Sequence, residues 1–318
     1  MISRRDRILG GLWGSLVGDA LGVPVEFKDR ATVQADPVRD MIGFGTHRQP
    51  AGTWSDDSSL LLCSVDSLIR SEFDTEDMGK RFCAWLREEL WTPHGKVFDA
   101  GTTTVNALSR IAAGTRAEVA GGDSQLSNGN GSLMRILPVS VRFAALSTRE
   151  LLDRVHRASA LTHRHARSQM ACGLFTLVIR ELLRGHNASD AFTNALAAFR
   201  AFYEADPWWS VELDSFQSLL AGDLLSRREQ EIASSGYVMH TLTASLWCLL
   251  TTTSFSDCVL KAVNLGGDTD TTGCVAGGLA GICYGSFSIR ESWIKSLARQ
   301  SEVEALFNRF AEVVVAPR

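Results

Sequence analysis

The chain reads as all-α. Helical periodicity runs along nearly its whole length, strand alternation is almost absent, and glycines fall just past several apolar stripes, where they end helices in the left-handed conformation. Ile8, Leu9, Leu12, Trp13, Leu16 and Val17 form the first stripe, and Leu60 to Ile69 a second, nearly continuous one. Thr75 is suited to cap a helix through Leu90 whose inner face carries Phe82, Trp85 and Leu86. The pattern then predicts helices over 101–113, closed by Gly114, over 148–161, over 166–184, closed by Gly185, and over 189–204. Others follow over 237–252, 256–264, 271–284 and 302–314, and Pro138 kinks or restarts a helix that begins near Ser132. Gly273, Gly277 and Gly281 recur every four residues beside Ala276 and Ala280, so another helix can approach that face closely; it belongs to a central, surrounded helix.

With no internal repeat and no low-complexity linker, residues 1–318 are expected to form a single domain. The segment 205–235, with Pro207-Trp208-Trp209 and mixed charges, stands out as an insertion or surface excursion. The 318 residues, 45% hydrophobic and 21% charged, suit a soluble globular protein. A net charge of −4 gives no global attraction to nucleic acid, and the run His163-Arg164-His165 is too short to change that. Seven cysteines lie scattered among apolar neighbours with no CxxC pair, a pattern of free thiols expected of a reducing cytoplasm. The N-terminal segment carries Asp19 and too many glycines for a signal peptide, and no apolar run is read as reaching the roughly 20 residues that span a bilayer. No membrane partner is expected, and the chain is expected to be a monomer.

Two acidic clusters carry the chemistry: Ser55-Asp56-Asp57-Ser58 and Gly266-Gly267-Asp268-Thr269-Asp270-Thr271-Thr272. Each borders an apolar helix, a costly place for carboxylates unless something neutralises them. One carboxylate suffices to cap a helix; each cluster has two, and the clusters lie about 200 residues apart. Brought together by folding, they make an oxygen cage suited to one or two hard divalent cations, Mg²⁺ or Mn²⁺. Between them lies Asn128-Gly129-Asn130-Gly131-Ser132, a glycine-rich loop opening a helix and suited to cradle a phosphate. It has neither the GK[ST] ending of a Walker loop nor the setting of a dinucleotide fold. A metal cage beside a pyrophosphate cradle points to a nucleotide-like substrate.

These motifs, in this order, resemble the ADP-ribosylglycohydrolases. Gly11-Leu12-Trp13-Gly14 through Gly18-Asp19-Ala20-Leu21-Gly22, with Pro24-Val25-Glu26-Phe27, is similar to the family's opening helix and its glutamate. Trp54-Ser55-Asp56-Asp57-Ser58 resembles the first metal motif, with Ser where Thr is usual at 55 and 58. Asp99-Ala100-Gly101-Thr102-Thr103 resembles a substrate loop of the arginine-directed branch, Asn128 to Arg135 the phosphate loop, and Thr162-His163 a segment framing the nucleotide. Asn264 to Thr271 resembles the second metal motif.

The resemblance implies a compact orthogonal helical bundle around two divalent cations, held by Ser55, Asp56, Asp57, Asp268, Asp270 and Thr271. It implies substrate binding by Asn128, Gly129, Asn130, Gly131, Ser132 and His163, with Glu26 and Asp99 as the catalytic carboxylates. Asp99 could instead cap the helix at 101–113, and Glu26 could be an ordinary loop residue. The implied reaction cleaves the glycosidic bond between ADP-ribose and a protein acceptor, arginine being favoured. Serine-linked, nucleic-acid-linked and O-acetyl ADP-ribose are alternatives, as are a metal-dependent phosphohydrolase and a non-catalytic binding protein on the same fold.

Overall fold

A computed structural model describes residues 2–316, and among these no strand occurs. The α-helices are α1 Arg4–Gly22, α2 Arg30–Ala35, α3 Asp56–Arg70, α4 Thr75–Glu88, α5 Thr102–Ala112, α6 Ala117–Ala120, α7 Leu137–Phe143, α8 Thr148–Ala160 and α9 Ala166–Leu183. They continue with α10 Ala188–Tyr203, α11 Pro207–Ser210, α12 Gln217–Leu220, α13 Val238–Leu250, α14 Phe255–Val263, α15 Thr269–Tyr284, α16 Glu291–Ser296 and α17 Gln300–Val315. Side-chain caps set many of the starts: Ser3, Ser147, Asn187 and Ser254 each accept a hydrogen bond from a backbone N–H in the first turn. Two expectations shift. Asp74 caps α4, accepting from the N–H groups of Glu76 and Asp77, and Thr75 is the first helical residue. No helix starts at Ser132; the chain turns there and α7 starts at Leu137 with Pro138 in its first turn, where proline's missing N–H has no cost.

The centre of the molecule is the pair α1 and α15. Gly10, Gly14 and Gly18 of α1 face Gly281, Gly277 and Gly273 of α15 in reversed order, so the helices run antiparallel. A Cβ on Gly14 would lie 2.2 Å from the Gly277 carbonyl oxygen, and one on Gly18 would lie 2.0 Å from that of Gly273. The two backbones therefore touch along their length. Together with its following turn, α1 (Arg4–Val25) is long and apolar enough to cross a membrane, contrary to the reading of its sequence, but nearly all of it is buried inside the protein. The contact brings the C-terminal end of α1 against the N-terminal end of α15, where the Thr269 hydroxyl donates to the Gly22 carbonyl at 2.8 Å. Both acidic clusters are gathered at that end.

The segment 205–235 packs down: Phe216, Leu219, Leu224 and Ile232 are buried in the common core, while Trp208, Val211 and Leu225 are exposed. Arg30 holds its end by donating to the Glu229 and Ile232 carbonyls, and the Ser234 carbonyl accepts from the Asp268 N–H at 2.8 Å.

Because the α1–α15 contact leaves no room for a side chain, Gly277→Val should lower stability by about 3 kcal/mol, read as the urea midpoint at constant m-value. An unchanged midpoint would mean that the two helices separate freely.

Candidate active site and metal centre

Asp56 and Asp57 form the first turn of α3, where the helix dipole favours negative charge. Ser55 is the N-cap, its hydroxyl accepting from the Asp57 N–H at 3.2 Å. Behind them the fully buried Asp19 of α1 accepts from the backbone N–H groups of Ser55 at 2.9 Å and Ser58 at 3.0 Å, and from the Ser58 hydroxyl at 2.5 Å. Asp268 precedes α15 and Asp270 lies in its first turn. Gly266 and Gly267, at φ 73° and 74°, let the chain turn into this helix, and a Cβ on Gly267 would lie 2.2 Å from the Ser234 carbonyl oxygen. Thr271 links the clusters by donating to Asp57 Oδ1 at 3.3 Å.

The buried oxygens Asp57 Oδ2, Asp268 Oδ1 and Asp270 Oδ2 have no hydrogen-bond partner. Glu26, Asp268 and Asp270 each offer an oxygen within 4.8 Å of the others. Desolvation, and then repulsion from neighbouring carboxylates, pushes the carboxyls of Asp56, Asp57 and Asp270 well above the usual range. Hard oxygen donors left unsatisfied in this number fit one or two divalent cations, with Asp56, Asp57, Asp268 and Asp270 as the anionic donors. Asp268 occupies the cap position, yet its side chain makes no capping bond, so capping does not account for it. The Ser55 hydroxyl, by contrast, is engaged as a cap, and the Thr271 hydroxyl is turned to Asp57.

Asp56, Asp57, Asp268 and Thr271 line a cavity of about 270 Å³, with Glu26, Phe27 and Asp99 at one wall and Gly129, Asn130, Gly131 and His163 at another. Asn130 joins the walls by donating from Nδ2 to Asp268 Oδ2 at 2.8 Å and to the Thr241 hydroxyl at 2.9 Å. Neither Gly129 nor Gly131 has a positive φ; space, not backbone freedom, requires glycine at 131, where a Cβ would stand 2.9 Å from His163 Cε1. Two of the expected binding residues turn inward. Asn128 Oδ1 accepts from the Ser168 hydroxyl, and the buried Ser132 hydroxyl meets Ser159 and Cys172, so their side chains brace the loop.

His163 is buried and held neutral, its imidazole lowered to about 3 by desolvation and by the nearby Arg135 charge. Arg135 is itself almost completely buried over the Phe82 ring and donates from Nη2 to the Thr162 hydroxyl oxygen at 2.8 Å. That hydroxyl also lies in hydrogen-bond contact with His163 Nδ1 at 2.8 Å. The other ring nitrogen, Nε2, faces Gly129 and Gly131, at the wall of the cavity.

At the opposite wall Glu26 is 3% exposed and hydrogen-bonds His47 Nε2. Desolvation raises the Glu26 carboxyl to about 7 against the opposing pull of His47, and Glu26 raises the His47 imidazole in turn. Asp99 is half-buried and shifted upward by desolvation, with oxygen and nitrogen donors of Glu26, His47 and Asp99 all within 4.8 Å. It does not cap α5: Gly101 holds that position, and Asp99 has a left-handed φ of 54°, a conformation that aspartate tolerates better than most residues. Its carboxylate lines the cavity beside Glu26, with which it hydrogen-bonds.

The ADP-ribosylglycohydrolase family profile matches residues 1–318. The chain belongs to the ADP-ribosylglycohydrolase family. It is 30% identical to ADP-ribosylarginine hydrolase Tri1 of Serratia proteamaculans over 95% of this chain and 78% of the relative. It is also 30% identical to the ADP-ribosyl-[dinitrogen reductase] glycohydrolase of Rhodospirillum rubrum, over 95% and 94% of the two chains. A solved structure titled ADP-ribosylglycohydrolase-related protein complex superposes with a TM-score of 0.80 at 33% identity, covering 98% and 99% of the two chains. As a family member this protein is a hydrolase of the glycosidic bond of ADP-ribose, and its all-α architecture is the family's.

Within this glycohydrolase, Asp19, Arg135 and Thr162 stand inside the motifs read from the sequence but without a role of their own there, and His47 stands in none of them. Asp19 left a signal, a charge inside the stripe of Leu16, Val17, Ala20 and Leu21; His47 left none.

For Glu26, Asp19, Asp56, Asp57 and Asp270 the folded-state pKa lies above the unfolded one, so folding takes up protons. The stability they contribute in the metal-free protein is complete below about pH 4. It is lost as pH rises through about 6 for Asp19 and about 7 for Glu26. Cations compete with those protons, so the gain in Tm from Mg²⁺ or Mn²⁺ over EDTA should grow from about pH 5 to about pH 8. A gain independent of pH would remove the carboxylates from the metal site. In the loop, Gly131→Val should weaken ADP-ribose binding at least about tenfold by calorimetry through its clash with His163; unchanged affinity would reduce the loop to an ordinary turn.

Proposed function

We propose that this protein removes ADP-ribose from modified arginine side chains with two divalent cations, Mg²⁺ or Mn²⁺. The observation that carries the metal requirement is the trio of unpartnered buried oxygens on Asp57, Asp268 and Asp270, lining or backing a cavity whose far wall is the anion-suited loop and His163. The arginine acceptor is supported by the two relatives at 30% identity, one of them named for that linkage, and by the carboxylate of Asp99 at the cavity wall. Free thiols at all seven cysteines accord with a reducing cytoplasm as its setting.

When bound, the cations supply Lewis-acid polarisation and orient the hydroxyls of the distal ribose. Gly129, Gly131 and His163 receive the pyrophosphate. Asn130 keeps that loop in register with Asp268. Glu26, poised near neutrality, takes a proton from the attacking water, and with Asp99 its negative charge stabilises the oxocarbenium-like centre as the bond to the guanidine breaks. His47 orients Glu26 and partly offsets its desolvation. Asp99 pairs with the departing guanidine, which leaves as the neutral base and takes up the proton that Glu26 removed from the water, returning Glu26 to its carboxylate form.

The test is a panel of ADP-ribosylated arginine, serine, DNA base and O-acetyl-ADP-ribose, run with each cation and with EDTA. Release of intact ADP-ribose from arginine, abolished by EDTA, is expected; AMP among the products would indicate a phosphohydrolase, and turnover in EDTA would refute the metal requirement. Asp268→Ala should abolish turnover. Asp99→Asn, which keeps shape and removes charge, should lower kcat/KM on ADP-ribosylarginine roughly a hundredfold while leaving ADP-ribose affinity nearly unchanged. Equal activity of wild type and this variant would leave Asp99 without a role in acceptor recognition.

A further inference from the structure

Phe27 is an aromatic side chain that packing does not explain. It is 66% exposed, and its φ of 63° lies in the left-handed region that disfavours bulky side chains. Its backbone is pinned there from two sides: the Phe27 N–H donates to the Gly267 carbonyl at 2.7 Å, and the Gly267 N–H donates to the Lys28 carbonyl at 2.8 Å. The loop bearing the second acidic cluster thus holds the ring in place, away from the core. There it lines the same cavity as Glu26, Asp99 and Asp268. The His47 ring lies 6.0 Å from it and the Phe98 ring 5.2 Å beyond, so an aromatic row runs beside two carboxylates.

That combination has a chemical partner. A guanidinium is planar and weakly hydrated; it stacks by its face on an aromatic ring and donates from its edge to a carboxylate. An ADP-ribosylated arginine carries this group next to the scissile bond, whereas serine-linked and O-acetyl ADP-ribose carry no cation there. We propose that Phe27 is a specificity residue whose ring receives the face of the substrate guanidinium while Asp99 accepts from its edge. The inference rests on the arginine reading above and extends it to a residue outside the metal and phosphate sites. Because the guanidine regains its proton after cleavage, the same surface also retains the cationic product.

The experiment compares wild type with Phe27→Leu, which keeps apolar bulk and removes the ring, and Phe27→Trp, which keeps a ring. Both are assayed as the Mg²⁺-loaded enzyme on ADP-ribosylagmatine, with free agmatine as competitive inhibitor and ADP-ribose binding measured by calorimetry. Phe27→Leu should raise KM about tenfold with a smaller change in kcat and weaken agmatine inhibition by a similar factor, while Phe27→Trp stays near wild type. ADP-ribose affinity should stay at the wild-type value, which also shows that the variant is folded. Equal KM and agmatine inhibition in wild type and Phe27→Leu would overturn the proposal. So would a parallel loss of ADP-ribose affinity, since the ring would then serve the ribose site. A wild-type enzyme inactive on ADP-ribosylagmatine but active elsewhere in the substrate panel would overturn the arginine reading itself, and this inference with it.

Discussion

The structure depends on the repulsion among carboxylates confined at one end of α1, α3 and α15. For Glu26, Asp268 and Asp270, whose oxygens come within 4.8 Å of one another, each ionised pair costs roughly 3 kcal/mol at an effective dielectric near 20. Three such pairs would cost nearly as much as the whole stability of a typical domain, about 5–15 kcal/mol. Among the described residues no lysine or arginine forms an ion pair with any of them; Glu26 alone has a basic neighbour, His47. The protein can meet that cost with protons or with cations, and the three unpartnered oxygens favour cations. Asp19 shows the alternative solution. Equally buried, it is satisfied by three donors from α3 and its segment, and it serves the site as a brace.

Bringing the charges together requires the backbone contact of α1 with α15. Half of that contact was legible in the sequence, because Gly273, Gly277 and Gly281 follow a four-residue period. Its other half, Gly10, Gly14 and Gly18, has the same period, but nothing local says which two stripes pair. The helices themselves were legible because burial of one face imposes a period of 3.6. Their ends were less so: Asp74 and Thr75 are both competent caps, and hydrogen bonds to the N–H groups of Glu76 and Asp77 decide for Asp74.

The acidic motifs were legible for a related reason, since paired carboxylates before an apolar helix are hard to explain otherwise. Side-chain direction was not. Asn128, Asn130 and Ser132 share one short motif, yet only Asn130 reaches the cavity, and the other two satisfy buried partners behind the loop. Asp99 looked equally suited to cap α5, and the left-handed turn that frees it follows from the path of the chain, not from its own residue type. His47 lies in a stretch without periodicity and gains its role only from the fold that sets it on Glu26.

Asp268 joins these parts. Its backbone N–H is held by Ser234, its Oδ2 accepts from Asn130 of the anion loop, and its Oδ1 remains free toward the carboxylate cluster. Gly267, one residue earlier, fixes Phe27 at the cavity mouth. A change at the cluster therefore acts on the glycine-rich loop and on the wall that carries Phe27 through one short stretch of chain. The carboxylate cluster and the geometry of the glycine-rich loop are thus coupled by the two oxygens of a single carboxylate.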